Sequence, residues 1–354
     1  MKEMQPDAKP GAGDEPLDVE GAAGLPHGAK KVALFFLKYV LGISLIVWMV
    51  WTGKVDLSVL GDLSANLLLE ALALTMLIAV LGAVRIRYVL ARQGIATGLW
   101  QCFIYNCAGS LYSSFLPGGI SGDAVRAYLF MKAVPDHRAA IVGAMVLDRV
   151  LGLVSMVFLG FMAACYLALT MAFIRPYLLG FAAIFLVLIG GLALLHFIGG
   201  SHKHHDDAAG GLAGLWLKSK RVVASLRIHE YPLGVLTFVV AQSIVIHLLV
   251  VVLIYLCSLH SRAGLGFVGV FIATPIGLLV NAIPVSPGGL GIGENAFEIL
   301  YRTLGGANGG TSFLLARLFL YSPAVPGLAY VLWRMVTRRQ YARAQIQRQQ
   351  SGSQ

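Results

Sequence analysis

Six stretches of this chain are apolar for about 20 residues or more: Val32 to Trp51, Leu67 to Val84, Ala139 to Leu169, Leu178 to Ile198, Leu233 to Leu256 and Ser312 to Val336. That is the length at which a helix crosses a hydrocarbon layer roughly 30 Å thick. Lipid offers no partners to backbone N–H and C=O groups, so such runs read as transmembrane helices. Composition agrees, because 12% of the 354 residues are charged against about 25% in soluble domains. A soluble single domain is excluded, and the length outside the runs leaves no room for a separate domain of ordinary size. The expected fold is an all-α polytopic membrane protein.

The net charge of +10 reads, in a membrane chain, as basic cytoplasmic loops rather than as a nucleic-acid surface. Cys102, Cys107, Cys165 and Cys257 all fall in apolar stretches and read as packing residues, without the spacing of a disulfide framework or zinc site. The first residues are polar and acidic, so no cleavable signal peptide is expected and the first run reads as an uncleaved signal anchor.

Two further apolar runs, Leu99 to Leu116 and Leu265 to Val285, end in a Pro-Gly-Gly break instead of a polar loop. They read as re-entrant helical hairpins beside six full spans. With the N-terminus inside, eighteen Lys and Arg residues then fall in cytoplasmic segments (Lys30 and Lys31, Arg85 to Arg92, Arg126 to Arg138, Lys203 to Arg227, Arg334 to Arg348). Four, Lys54, Arg175, Arg262 and Arg302, fall outside. Eight full spans would move Arg126, Lys132 and Arg138 outside and weaken this bias. The chain divides into a polar cytoplasmic tail (1–31), a membrane domain (32–336) and a basic cytoplasmic tail (337–354).

The breaks form an internal repeat. Pro117-Gly118-Gly119, followed by Gly122-Asp123, returns 170 residues later as Pro287-Gly288-Gly289, followed by Gly293-Glu294. The two motifs lie near 116–126 and 286–294, and an arginine within a span follows each: Arg149, 32 residues after Pro117, and Arg317, 30 after Pro287. In the topology above the hairpins enter from opposite sides, the arrangement of an inverted repeat.

Breaks of this kind present helix N-termini near membrane depth, and such ends favour anions such as phosphate. Asp123 and Glu294 either cap these helices or meet a ligand. Asp148 and Arg149, inside a span, form a structural ion pair or face a cavity. Arg317 has no acid in its own span and needs an anion from elsewhere: Asp123, Glu294 or a bound phosphate. Tyr321, Pro323, Pro326 and Gly327 predict a kink after it. Arg126 follows Asp123 by one helical turn and pairs with it or extends a basic groove. Asn106, Asn281, Tyr112, Ser113, Ser114 and Ser286 add neutral polar groups explained by packing or by ligand contact. The cluster His202, His204, His205, Asp206 and Asp207 reads as a solvated linker rather than a metal site. No hydrolase, metalloprotease, nucleotide or dinucleotide motif is present, so no cofactor is expected.

Phe115-Leu116-Pro117-Gly118-Gly119-Ile120-Ser121-Gly122-Asp123-Ala124-Val125-Arg126, Leu147-Asp148-Arg149 and Pro284-Val285-Ser286-Pro287-Gly288-Gly289-Leu290-Gly291-Ile292-Gly293-Glu294 occur in this order. With them the chain resembles the family of lysylphosphatidylglycerol synthase transmembrane regions, also described as flippase-like. The resemblance covers Val32 to Val336. It implies a membrane part that moves aminoacylated phosphatidylglycerol, polyprenyl-linked sugars or hopanoids between leaflets. The chain stops at Gln354, so the cytosolic synthase half of two-domain relatives is expected to be absent, and with it an enzymatic activity. Relatives often carry a larger or charged residue before the second-motif acid, where this chain has Gly293.

The expectation is a lipid translocase of the bacterial inner membrane, with a membrane lipid as substrate and lipid-biosynthesis enzymes as possible partners. Arg149 and Arg317 would receive the phosphate, and Asp123 and Glu294 a cationic headgroup or coupling proton. Three alternatives stand beside it: a secondary transporter of a soluble anion, a headgroup enzyme using Asp123 and Glu294 as acid and base, and a non-transporting partner of a lipid-synthesis complex.

Overall fold

The computed structural model describes residues 29–115, 121–170, 175–198, 231–283 and 286–351. Among them are eleven α-helices and no strand. In chain order they are α1 (Ala29–Trp51), α2 (Ala65–Arg92), α3 (Leu99–Phe115), α4 (Ser121–Ala133), α5 (Arg138–Thr170) and α6 (Arg175–Ile198). After them come α7 (Leu233–His260), α8 (Phe267–Asn281), α9 (Ile292–Thr303), α10 (Gly309–Leu320) and α11 (Ala324–Ser351).

Among the described residues, four segments are long and apolar enough to cross a membrane: Ala65–Arg92, Pro135–Leu169, Leu233–His260 and Gly309–Thr337. The runs expected at Val32 and Leu178 fall within α1 and α6, which include the apolar stretches Val40–Trp51 and Ala182–Gly191. The run expected from Ser312 is divided at Tyr321 to Pro323, where a turn separates α10 from α11. There the Ser322 N–H bonds the Phe319 carbonyl rather than continuing the α-helical ladder. Both ordinary helix ends and loops obey local rules. Ser64 caps α2 by accepting from the Leu67 N–H. In the α1–α2 loop, the Asp56 carboxylate accepts from the Ser58 hydroxyl and N–H, which hold its pKa below the usual carboxylate value.

Two apolar cores organise the bundle. One gathers Ile86, Leu90, Tyr105, Phe130, Leu147 and Val239; the other gathers Leu67, Val251, Ile254, Phe297, Tyr301 and Phe313. Helices α2 and α7 contribute to both. The start of α2 (Leu67, Ala71) sits in the second core and its end (Ala83 to Leu90) in the first, whereas α7 places Val235 to Val239 in the first and Val250 to Cys257 in the second. The two helices therefore run antiparallel, and Gln242 Nε2 of α7 donates to the Leu81 carbonyl of α2.

The helix pairs flanking the breaks pack on each other, α3 on α4 and α8 on α9. The helices after each break then cross to the opposite pair, α5 onto α8 and α11 onto α3. Lipid gives little hydrophobic drive between helices, so close approach rests on small residues. A Cβ on Gly122 would overlap the Ser113 hydroxyl and the Gly109 carbonyl, and one on Gly327 would overlap the Cys107 carbonyl. Cys102, Cys107 and Cys257 are buried, and all four cysteines are free.

Candidate functional site

Asp148 lies 11 residues into α5 and is 2% exposed. An ionised carboxylate at such a place needs cations, and two arrive from neighbouring helices. Arg85 of α2 grips it with both arms, Nε to Oδ1 at 2.7 Å and Nη2 to Oδ2 at 3.1 Å. Arg126 of α4 reaches the same Oδ2 at 3.1 Å. Arg85 also donates to the Ser243 hydroxyl of α7 at 2.8 Å, and Arg126 to Asn106 Oδ1 of α3 at 3.1 Å. Four helices, α2, α3, α4 and α7, are thus tied to one carboxylate on α5.

Asp123, in the first turn of α4, extends this network outward. Its Oδ1 lies 3.3 Å from Arg126 Nη2, and its Oδ2 accepts from Arg149 Nε. The Arg149 side chain is 59% exposed, whereas those of Arg126 and Asp123 are 12% and 15% exposed. Three arginines and two carboxylates leave the cluster with one net positive charge. The buried Nε of Arg126 has no hydrogen-bond partner among the described residues.

Beside the cluster is a cavity of about 210 Å³, room for on the order of ten waters. Thr75, Ile78, Ala79 and Gly82 of α2 form one wall, and Asn106, Gly109, Ser110 and Ser113 of α3 another. Gly122, Asp123, Arg126 and Arg149 line it on the charged side, and Leu320 and Pro323 close it. Its chemistry suits an anion: guanidinium groups at one wall, hydroxyls and an amide nearby, and the N-terminal turn of α4.

The charged cluster beside the second break is arranged differently. Glu294 is fully buried; its Oε2 accepts from the Gly291 N–H at 2.6 Å, capping its own helix, and its Oε1 accepts from Arg317 Nε at 2.6 Å. Arg317, 4% exposed, also donates to the Gly288 carbonyl, to Tyr321 Oη (3.4 Å), to Asn281 Oδ1 (2.8 Å) and to the Gly289 carbonyl (3.3 Å). All five guanidinium N–H groups are engaged, and the Pro287–Gly289 turn hangs from them. Gly289 has a φ of 72° and faces the Asn281 carbonyl, so both backbone and space demand glycine. The seat of Gly293 is also explained: a Cβ there would press on Phe313 and on Arg317 Nη2.

The structure therefore joins Asp123, Arg126, Asp148 and Arg149 in one cluster, and joins Gly288, Gly289, Glu294 and Arg317 in another. Arg317 and Glu294 do not line the cavity. Pro117, Gly118, Gly119 and the His202 to Asp207 cluster lie outside the described residues. Arg85 was absent from the sequence-derived site, having been read as a loop charge. Its signal was periodicity, since Ile78, Gly82 and Arg85 follow one helical face toward the cavity and Asp148. Among the described residues, no three His, Cys, Asp or Glu side chains group as a metal site would require.

The model of the lysylphosphatidylglycerol synthase TM region matches residues 35–327. That range contains both breaks, both ion clusters and the cavity. No curated protein matches the chain. The match spans most of the sequence, and the protein belongs to the family of the lysylphosphatidylglycerol synthase transmembrane region.

Proposed function

We propose that this protein is a flippase-like lipid translocase: it takes the phosphate-bearing headgroup of a membrane lipid into the Asp123–Arg126–Arg149 cavity and passes it between leaflets. The observation that carries this reading is a cavity of headgroup size, lined by cations, beside a span whose ionisable residues are otherwise costly to hold in lipid. Fixed guanidinium groups and the α4 N-terminus replace water around the phosphate, while acyl chains stay in the bilayer. The protein acts by binding and translocation rather than by catalysis. It resides in the inner membrane of a bacterium, with both termini cytoplasmic.

The antiparallel α2 and α7, each preceding a broken helix pair, support an inverted repeat with two re-entrant hairpins among six spans. So does the reciprocal crossing of α5 onto α8 and of α11 onto α3.

The test is lipid co-purification in mild detergent, comparing wild type with Arg149→Gln. One anionic phospholipid class is expected to be enriched in the wild type and lost in the variant, and leaflet-resolved transport of that class in vesicles should be lost with it. Matching lipid profiles would overturn the reading. Displacement by inorganic phosphate without lipid preference would favour a transporter of a soluble anion.

A further inference from the structure

Asp123 is placed as a ligand of its two arginines would be. It stands at the cavity wall, in the first turn of α4, with one carboxylate oxygen on Arg126 and the other on Arg149. Two guanidinium groups spanned by two oxygens of one anion is the arrangement by which arginines hold a phosphate.

The two arginines differ in how deeply they are set. Arg126 is fixed from behind by Asp148 and Asn106, each at 3.1 Å, and these are shorter than its 3.3 Å contact with Asp123. It keeps its place if Asp123 leaves, and its buried Nε still lacks an acceptor among the described residues. Arg149 is 59% exposed, on a long side chain able to follow an incoming anion.

Resting on the proposed phosphate site, we infer that Asp123 is an internal stand-in for the substrate's phosphate, and that a phosphate-bearing ligand binds by displacing its carboxylate from between Arg126 and Arg149. The carboxylate keeps two cations compensated in an empty site at membrane depth, where unpaired charge is expensive. It also sets a threshold: weakly charged or neutral headgroups cannot compete for the arginines, and a phosphate can. This differs from a role in which Asp123 greets a cationic headgroup, and the two roles predict opposite signs.

The experiment uses the full chain in mild detergent and measures binding of two probes: inorganic phosphate, and phosphatidylglycerol in phosphatidylcholine nanodiscs. Asp123→Asn, which removes the competing charge, is expected to bind the effective probe about tenfold more tightly, the order produced by removing one nearby like charge. Asp123→Glu, which keeps the anion, should stay near wild type. If Asp123→Asn elutes aggregated, Asp123→Ser carries the same test. Tighter binding confined to phosphatidylglycerol assigns the anion to a lipid; tighter binding of inorganic phosphate assigns it to a free anion; both support displacement. Binding that is unchanged or weaker in the neutral variants, while Arg149→Gln still lowers it, overturns the inference and leaves the phosphate site standing. If Arg149→Gln leaves both probes unaffected, the site itself fails and the inference with it.

Discussion

Beside two breaks with nearly the same sequence stand two different charge clusters. At the second, an acid and an arginine neutralise each other in full burial, and every N–H of Arg317 is committed to Glu294, to Asn281, to Tyr321 or to the carbonyls of the turn. At the first, three arginines share two acids, one guanidinium nitrogen is buried without a partner among the described residues, and one arginine faces outward beside a cavity. A charge pair that closes on itself builds structure, whereas a cluster with surplus charge and spare donors can receive a ligand. The motif alone does not determine which; the number and reach of the surrounding cations do.

The sharpest way to break this contrast is at the sealed break. Arg317→Ala leaves Glu294 buried and unpaired and should cost about 3–5 kcal/mol, read as a large fall in thermal midpoint in detergent. A folded Arg317→Ala protein that had lost only its lipid would erase the distinction drawn here. Asp148→Asn tests the first cluster's inner layer. It strands Arg85 at 15% exposure while Arg126 retains Asp123, so a loss of about 3 kcal/mol is expected by the same melt.

Packing sharpens the comparison at a lower magnitude. Gly122→Ala drives a methyl into Ser113 and the Gly109 carbonyl and should cost about 1–3 kcal/mol. Gly152→Ala, whose methyl meets nothing nearer than Arg85 at 3.9 Å, should be neutral or stabilise helix α5 slightly. Arg149→Gln should move stability least, by under about 1 kcal/mol given its exposure, while abolishing enrichment of the anionic lipid. The order of the melts against the order of the lipid losses is the decisive readout.

The sequence made the helical membrane class legible through run length, and it marked both breaks through Pro-Gly-Gly. It was less informative about partners. Arg317 needed an acid, and Glu294, Asp123 and phosphate were equal on paper, because the pairing depends on how α9 folds back beside α10. Arg85 followed an apolar run ending at Val84 and resembled the flanking Arg87 and Arg92. The helix continues to Arg92, which turns Arg85 inward to Asp148 while Arg87 stays at the surface, bonding the Thr97 carbonyl. Arg126, which the charge count places in a loop, is 12% exposed and pairs with Asp123 as its one-turn spacing predicts. Charge counting assumes that cations at span ends are solvated, and here two of them are consumed inside.

The sharing of α2 and α7 between the cores has a mechanical side. Close-packed interiors rearrange between discrete states rather than deforming smoothly, so a rod clamped at both ends flexes between its clamps. On α2 the passage from the second core, which Ile78 still touches, to the first at Ala83 carries Thr75, Ile78, Ala79 and Gly82, one wall of the cavity. Thr75 is also fastened, through its hydroxyl, to Ser322 in the turn between α10 and α11 at 2.9 Å. Any rocking of one half against the other is therefore delivered to that wall first, and the chamber's shape becomes a gauge of the angle between the halves.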